Sequence, residues 1–204
     1  MRHVFHSAWR LACLIPACLM LAGCGASNGL TDKVMGGLVP AAEPVVLQVG
    51  KAAPMIDVQI PSREAAGAMA QIALRGTVSE WRSADGIGLT LREGQIIATR
   101  GFGPDLLIAD GQGAAPALRQ GGGVFSRTMH WLDGENHDRA EVFTCTLSAQ
   151  ASQPKPNERT LSETCKGPQR TFTNTYTVST TTGALIRSDQ WVSPGLGHIR
   201  LEPR

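Results

Sequence analysis

The sequence is poor in aromatic residues and has no marked excess of charge of one sign. Only 5% of its 204 residues are aromatic, and it contains a single tyrosine. Its 19 lysines and arginines nearly balance its 17 aspartates and glutamates, whereas proteins that bind nucleic acid usually carry clustered basic residues. We therefore expect no nucleic-acid partner.

The sequence also lacks the ~20 apolar residues that a membrane-spanning helix needs. The run from Leu11 to Leu21 is too short, follows Arg2 and Arg10, and leads into Leu-Ala-Gly-Cys at residues 21–24. These features are typical of a lipoprotein signal peptide over residues 1–23, with acyl chains added to Cys24. Gly25 follows in place of the aspartate that favours inner-membrane retention, so we predict an outer-membrane anchor with the domain facing the periplasm.

The remaining chain divides by composition into a tether and a domain. Residues 24–44 are rich in glycine, alanine and proline with little periodicity, as in flexible linkers. Residues 45–204 are long enough for one domain with a real core. We predict a single β-rich periplasmic domain there.

Cysteine is scarce once the signal peptide is removed. Cys13 and Cys18 lie in the signal and Cys24 becomes a thioether, which leaves Cys145 and Cys165. The periplasm oxidises such pairs, and no Cys-x-x-Cys spacing indicates a redox role. We predict one structural disulfide between them and no metal held by this pair.

The pattern of the domain is that of a mainly β protein with one short helix. Ser62 to Ala73 places Ala65, Met69 and Ile72 on one helical face, with Ser62 as an N-cap, so we predict a helix there. Downstream, short segments rich in β-branched and aromatic residues are punctuated by turn dipeptides, namely Asp85-Gly86, Glu93-Gly94, Asp133-Gly134 and Thr182-Gly183. This texture predicts an antiparallel meander.

One strand of this meander can be assigned a buried face. One face buries Phe143, Leu147 and the disulfide, because Glu141, Phe143, Cys145 and Leu147 alternate with Ala140, Val142, Thr144 and Thr146. The stretch from Ser148 to Ser162 contains two prolines and is predicted to be a loop closed at its base by the cysteines.

A cluster of His130, Asp133, Glu135, His137 and Asp138 is the candidate metal site. Imidazoles with carboxylates can bind zinc, and His130 and His137 would be its ligands. The spacing matches no zinc signature. We favour a polar hairpin tip, with the two histidines on opposite strands and the acids in solvent, and expect no metal or other cofactor.

Trp81, Trp131 and Trp191, with Tyr176, are the notable aromatic residues. Indole faces stack on sugar rings, but tryptophan usually packs in a core. We expect most of them in the core, with one exposed tryptophan on a concave surface as the alternative.

Catalysis has no positive support in the sequence. Glu80, Asp85, Asp105 and Asp110 could supply the carboxylate pair of a glycosidase, but Asp85 and Asp105 lie at turns, where local backbone hydrogen bonding is the ordinary role. No nucleophile elbow, zinc-protease motif or phosphate-binding loop is present. We therefore predict no catalytic residues.

Several segments resemble the YjbF/GfcB family of group 4 capsule lipoproteins, and they occur in the same order along the chain as in the family. Two of them go beyond simple patterning: Thr99–Leu107 (TRGFGPDLL) and Ser188–Gly197 (SDQWVSPGLG). The others are Trp81–Gly86, both cysteine segments and Asn174–Tyr176. With the lipobox, the resemblance covers roughly Val45 to Leu201. Phe102 departs from the family, where leucine is more common.

The resemblance implies a strongly curled antiparallel sheet, close to an open barrel. It also implies an outer-membrane lipoprotein of capsule or exopolysaccharide export, beside a large outer-membrane β-barrel protein and a periplasmic partner. The family has no established catalytic residues, so motif positions are expected to be structural or interaction sites.

Within these motifs, two roles are open for Arg100. An internal clamp would pair Arg100 with a carboxylate such as Asp105. In the alternative, Arg100, Gln190 and Trp191 line a concave surface that meets an acidic glycan or a partner strand. We favour the clamp.

Three functional hypotheses follow. The leading one is a non-enzymatic accessory of polysaccharide export that binds the export barrel protein, the polymer or both. The alternatives are a periplasmic polysaccharide-modifying enzyme, which needs a carboxylate pair in a cleft, and a general envelope-stabilising lipoprotein.

Overall fold

The structure is a computed structural model that describes residues 53–133, 135–151 and 155–204. It contains twelve strands and one α-helix, α1. The strands are β1 (Met55–Ile60), β2 (Ala65–Arg75), β3 (Val78–Arg82), β4 (Gly88–Arg92), β5 (Gln95–Arg100), β6 (Leu106–Asp110), β7 (Gly122–Leu132), β8 (Asp138–Ala149), β9 (Glu158–Lys166), β10 (Thr171–Ser179), β11 (Leu185–Ser193) and β12 (Gly197–Pro203); α1 is Ala114–Gln120.

The strands form one antiparallel sheet in the order β5-β4-β3-β2-β1-β12-β11-β10-β9-β8-β7-β6. The sheet curls until β5 and β6 face each other across a seam, so the barrel is nearly closed. Side chains bridge this seam: Thr99 Oγ1 accepts a hydrogen bond from the Leu106 amide at 2.9 Å, and Arg127 donates to Gln95 at 3.2 Å. The predicted curled sheet is confirmed.

The topology gives the barrel two different ends. Each strand is antiparallel to its neighbours, so the turns that follow odd-numbered strands all lie at one end, which we call the mouth. The turns that follow even-numbered strands, the start of β1 at Met55 and the end of β12 at Pro203 lie at the other, the terminal end. The quoted motif turns at 83–87, 101–105 and 194–196 are all at the mouth.

Inward-facing side chains form two apolar clusters with a polar layer between them. The larger cluster includes Met129, Trp131, Phe143 and the disulfide. The smaller includes Leu147, Leu161 and Val178. On β9, for example, Leu161 belongs to the smaller cluster, Glu163 to the polar layer and Cys165 to the larger cluster, because alternate residues share one face.

The predicted helix over Ser62–Ala73 is wrong. Pro61–Arg63 forms a short 3-10 turn, and Ala65–Arg75 is strand β2, which pairs with β1 and β3. Both sides of β2 are hydrogen-bonded, and this pairing outweighs the helical propensity of its alanines. The helix of the described residues is α1. It ends at Gln120, and Gly121, whose φ of 80° is left-handed, is its C-cap.

The predicted disulfide is confirmed. Cys145 on β8 and Cys165 on β9 are directly opposite in the register, and their sulfur atoms are bonded. Phe143, Cys145 and Leu147 are buried on one face, as predicted. The loop is shorter than predicted, since β8 continues to Ala149 and β9 begins at Glu158. Within the described ranges, no helix has the length and apolar character needed to cross a membrane.

The predicted signal peptide, the lipidation of Cys24 and the tether lie outside the described residues.

Candidate binding cleft at the mouth

A cleft of about 590 Å³ lies at the mouth of the barrel. Four mouth turns contribute to it: the turns after β5, β7, β9 and β11, through residues such as Pro104, Asp133, Gln169 and Pro194. Ligand-binding pockets are commonly 300–1,000 Å³. The cleft therefore has the size of a small-ligand or oligosaccharide subsite.

Two of the sequence motifs meet at one wall of the cleft. The Ser193 hydroxyl donates to the Pro104 carbonyl at 2.6 Å and accepts from the Leu196 amide at 3.3 Å. A Cβ on Gly195 would lie only 2.8 Å from the Pro104 Cβ. Glycine is needed at this position because the two turns are in close contact.

The floor of the cleft is the top of an aromatic cluster. Trp131 lines the cleft and packs edge-on against Trp191 with 5.8 Å between ring centroids. Trp191 in turn stacks on Phe172 at 4.5 Å. The Arg170 guanidinium lies 5.2 Å from the Trp131 ring, a cation–π distance. The cleft thus combines an aromatic base with a cationic side chain.

Arginine–carboxylate pairs form the other walls. Arg170 Nε is 2.8 Å from Glu141 Oε2, and Arg139 is 2.6 Å from Asp133 Oδ2. The other oxygen of Asp133 accepts hydrogen bonds from the amides of His137 and Glu135. These amide bonds, that of His137 foremost, hold the pKa of Asp133 below its usual value.

The predicted Arg100–Asp105 clamp is wrong. Asp105 accepts hydrogen bonds from Thr99 Oγ1 at 2.8 Å and from the amides of Gly101 and Phe102 at 2.9 and 3.1 Å. Nearby amide donors satisfy this carboxylate without the cost of fixing a long side chain. Arg100 is exposed. Asp105 therefore has the backbone-bonding role expected of a turn aspartate.

The alternative surface of Arg100, Gln190 and Trp191 is not formed either. Gln190 is 1% exposed; it accepts from the Ile96 amide and donates to the Gly94 carbonyl, both at 2.9 Å. It therefore joins β11 to β5 across the interior. Trp191 packs in the aromatic cluster.

The remaining aromatic candidates are core residues, as most were expected to be. Trp81 is half-buried, packs against the larger cluster and donates its indole N–H to Ser79 Oγ at 2.8 Å. Tyr176 is 1% exposed.

The candidate metal residues form a polar hairpin tip. The prediction that the two histidines lie on opposite strands is wrong: His130 lies on β7, 3.0 Å from Asp138, whereas His137 lies in the turn before β8, 3.6 Å from Asp133. Potential ligand atoms of Asp133, Glu135 and His137 are within 4.8 Å of one another, yet Arg139 already binds Asp133. The expectation that the acids point into solvent is wrong for Asp133, which holds the turn together.

The four candidate glycosidase carboxylates do not line the cleft. Asp85, which accepts a hydrogen bond from Ser83, and Asp105 lie in mouth turns. Asp110 ends β6 at the terminal end, and Glu80 lies within β3.

The sequence reasoning missed the buried polar layer. Glu163 pairs with Arg127 at 2.7 Å and also accepts from Tyr176 Oη at 2.7 Å and Asn174 Nδ2 at 2.9 Å. Burial raises the pKa of Tyr176 well above its ordinary value, and the negative charge of Glu163 adds to this effect. The sequence signal that could have found it is the spacing of Leu161, Glu163 and Cys165, since alternate residues of a strand share one face and Glu163 is therefore inward-facing.

Comparison with known proteins identifies the family. The model of the YjbF family, described as group 4 capsule polysaccharide lipoprotein GfcB, matches residues 47–203. The chain belongs to the YjbF family. Members are lipoproteins of capsule polysaccharide systems, so this YjbF-family chain is a lipid-anchored envelope protein with a role in capsule polysaccharide production.

A solved structure of another lipoprotein shares the fold. It is the crystal structure of the hypothetical lipoprotein YmcC from Escherichia coli K12, with a TM-score of 0.65 and 18% sequence identity. The match covers 88% of this chain and 97% of that one. The search of curated proteins gives no match.

Proposed function

We propose that this YjbF-family protein is a non-enzymatic accessory of capsule or exopolysaccharide export and that its mouth cleft binds the polymer. The observation that carries this proposal is the cleft itself, where mouth turns that include two of the quoted motifs enclose an aromatic floor and paired charges. The protein is anchored to the outer membrane through Cys24, faces the periplasm and acts beside a large outer-membrane β-barrel protein and a periplasmic partner.

The side chains of the cleft suit a sugar polymer. Arg170 and Arg139 offer several N–H donors each, while Glu141 and Asp133 accept hydrogen bonds from hydroxyl groups. Trp131 adds an apolar ring surface beneath them. This mixture of a ring surface with convergent polar groups is the ordinary composition of a ligand pocket.

Binding is favoured over turnover by the state of the cleft carboxylates. A glycosidase needs one carboxyl group that remains protonated as a general acid, with a raised pKa. Asp133 has a lowered pKa, and both Asp133 and Glu141 are paired with arginines. Neither arrangement supports a general acid.

The experiment compares two matched arginine variants of the lipidated protein. Arg170 pairs with the buried Glu141 in the cleft, and Arg187 pairs with the equally buried Glu158 on the outer face of the sheet, at 2.7 Å. Arg170→Ala and Arg187→Ala therefore each remove an arginine from a buried glutamate, although Glu158 keeps Lys155 as a second partner at 3.2 Å. Affinity for the capsule polymer of the source strain is measured by calorimetry, with circular dichroism to check folding.

We expect Arg170→Ala to weaken polymer binding at least about tenfold, as loss of a charged hydrogen bond does, and Arg187→Ala to leave it unchanged. Equal affinities of both variants and the unaltered protein would exclude the cleft. Appearance of shortened or chemically altered polymer during the same incubation would instead support the polysaccharide-modifying enzyme.

A further inference from the structure

A second cavity, of about 400 Å³, lies at the terminal end of the barrel. It is formed by the C-terminal part of α1 together with the turns that follow β4 and β10. Leu118, Val178 and Leu185 give it an apolar wall, and its charged lining residues are Arg119, Arg159 and Glu93, the carboxylate that pairs with Arg119. The cavity is therefore amphipathic.

Arg159 lines this cavity and is only weakly hydrogen-bonded by the described residues. Its buried Nε has no hydrogen-bond partner among the described residues, and its Nη2 reaches the Leu118 carbonyl only at 3.4 Å. Gly121 makes room for it, since a Cβ there would lie 2.7 Å from Arg159 Nη1. Arg119 is largely exposed and has one carboxylate neighbour, Glu93.

The position of this cavity relates it to the lipid anchor. The chain that leads back to Cys24 joins the barrel at Met55, which is at the same end. About 30 residues separate Cys24 from Met55, and such a chain spans up to about 100 Å when extended. The anchor alone does not decide which face of the barrel meets the membrane, so the chemistry of the surface must do so.

We infer that the terminal cavity binds the phosphate of an anionic phospholipid headgroup and holds the terminal end against the membrane. Guanidinium groups bind phosphate oxygens with paired hydrogen bonds, and the apolar wall accommodates the glycerol and upper acyl segment. Arg75, exposed at the end of β2, lies at the same end of the barrel and adds attraction to an anionic surface. The mouth cleft then faces away from the membrane.

The test uses the lipidated protein in vesicles of phosphatidylcholine, with or without phosphatidylglycerol, that contain headgroup spin-labelled lipid. A fluorophore is attached to a cysteine introduced at Thr181, at the terminal end, or at Glu135, at the mouth; both residues are exposed. We expect phosphatidylglycerol to increase quenching of the Thr181 label and not of the Glu135 label. Each arginine removed should reduce the docked population about fivefold.

The variants are Arg159→Gln and Arg119→Glu, with Arg100→Gln at the mouth as the matched control. Arg119 is 62% exposed, so Arg119→Glu tests the inference even where Arg159→Gln unfolds the domain. Both should reduce the docked population, and with it the phosphatidylglycerol-dependent quenching, at least about fivefold, while Arg100→Gln retains it.

Equal quenching at the two ends, or quenching that survives Arg119→Glu, would overturn the inference. Glycerol phosphate or inorganic phosphate could stabilise the detergent-solubilised protein while phosphatidylglycerol causes no increase in quenching. That result would assign the cavity to a free anion and refute the phospholipid as its ligand. The inference would likewise be refuted if soluble polysaccharide bound the terminal end, at the Thr181 label, in competition with the vesicles. The inference depends on lipid anchoring and not on polymer binding at the mouth, so either proposal can fail alone.

Discussion

The buried charge of Glu163 is predicted to be a major determinant of stability. In Glu163→Gln one carboxylate oxygen becomes an amide group, which cannot accept the hydrogen bonds made to that oxygen. The substitution also leaves the Arg127 guanidinium, 3% exposed, without its counter-charge. Removal of one partner from a buried ion pair costs about 3–5 kcal/mol, a large part of the about 5–15 kcal/mol that stabilises a typical domain.

The assay is urea unfolding of the oxidised protein, followed by tryptophan fluorescence, since Trp131 and Trp191 pack in the core. The exposed Glu135→Gln should change stability by no more than about 0.5 kcal/mol. Adding Arg127→Met to Glu163→Gln should recover part of the loss, because the second change removes the uncompensated charge. A cost below about 1 kcal/mol for Glu163→Gln, with an unchanged m-value, would refute the reasoning.

Three further predictions concern single elements of the barrel. Replacing both Cys145 and Cys165 with alanine should lower stability by about 3 kcal/mol, the value for a loop of this length, in the same urea assay. Asp105→Ala should cost about 2–3 kcal/mol because three donors lose their acceptor, whereas Arg100→Ala should cost less than about 0.5 kcal/mol; equal costs would contradict the assignment. Tyr176 is the only tyrosine, so tyrosinate absorbance reports it alone: because its pKa is raised on folding, it should titrate above its ordinary value of about 10. The contribution of the Tyr176 hydroxyl to stability should be complete below its pKa in the unfolded protein and be lost as the pH rises through its pKa in the folded protein. A tyrosine that titrates near 10 in the folded protein would contradict this.

Much of the fold could be predicted because its signals are local. Turn dipeptides marked the hairpins, and alternation along β8 identified the face that buries Phe143 and Cys145. The family resemblance supplied the curl of the sheet, which no local pattern gives. The error at Ser62–Ala73 has a tertiary cause: alanine-rich β2 is a strand because β1 and β3 pair with it on both sides.

The candidate site was less accessible from the sequence. The mouth turns converge only in the folded barrel, and this brings together Pro104, Trp131, Arg170 and Pro194. Because these residues are far apart along the chain, the sequence does not indicate that they line one cleft. The wrong prediction for Arg100 has another origin. Arg100 is predicted to be the partner of the Asp105 carboxylate, although the backbone amides of the same turn are closer donors. The buried Arg127–Glu163 pair was hidden because charged residues are assigned to solvent by default.

The central claim, that the mouth cleft binds the capsule polymer, is tested most directly by site-specific photocrosslinking in intact envelopes. A photoreactive residue replaces Gln169, exposed at the cleft, or Thr173, exposed on β10 away from it. The account predicts that the Gln169 position captures polysaccharide and that the Thr173 position does not. Equal capture at both positions, or none at Gln169 in polymer-producing cells, would contradict it.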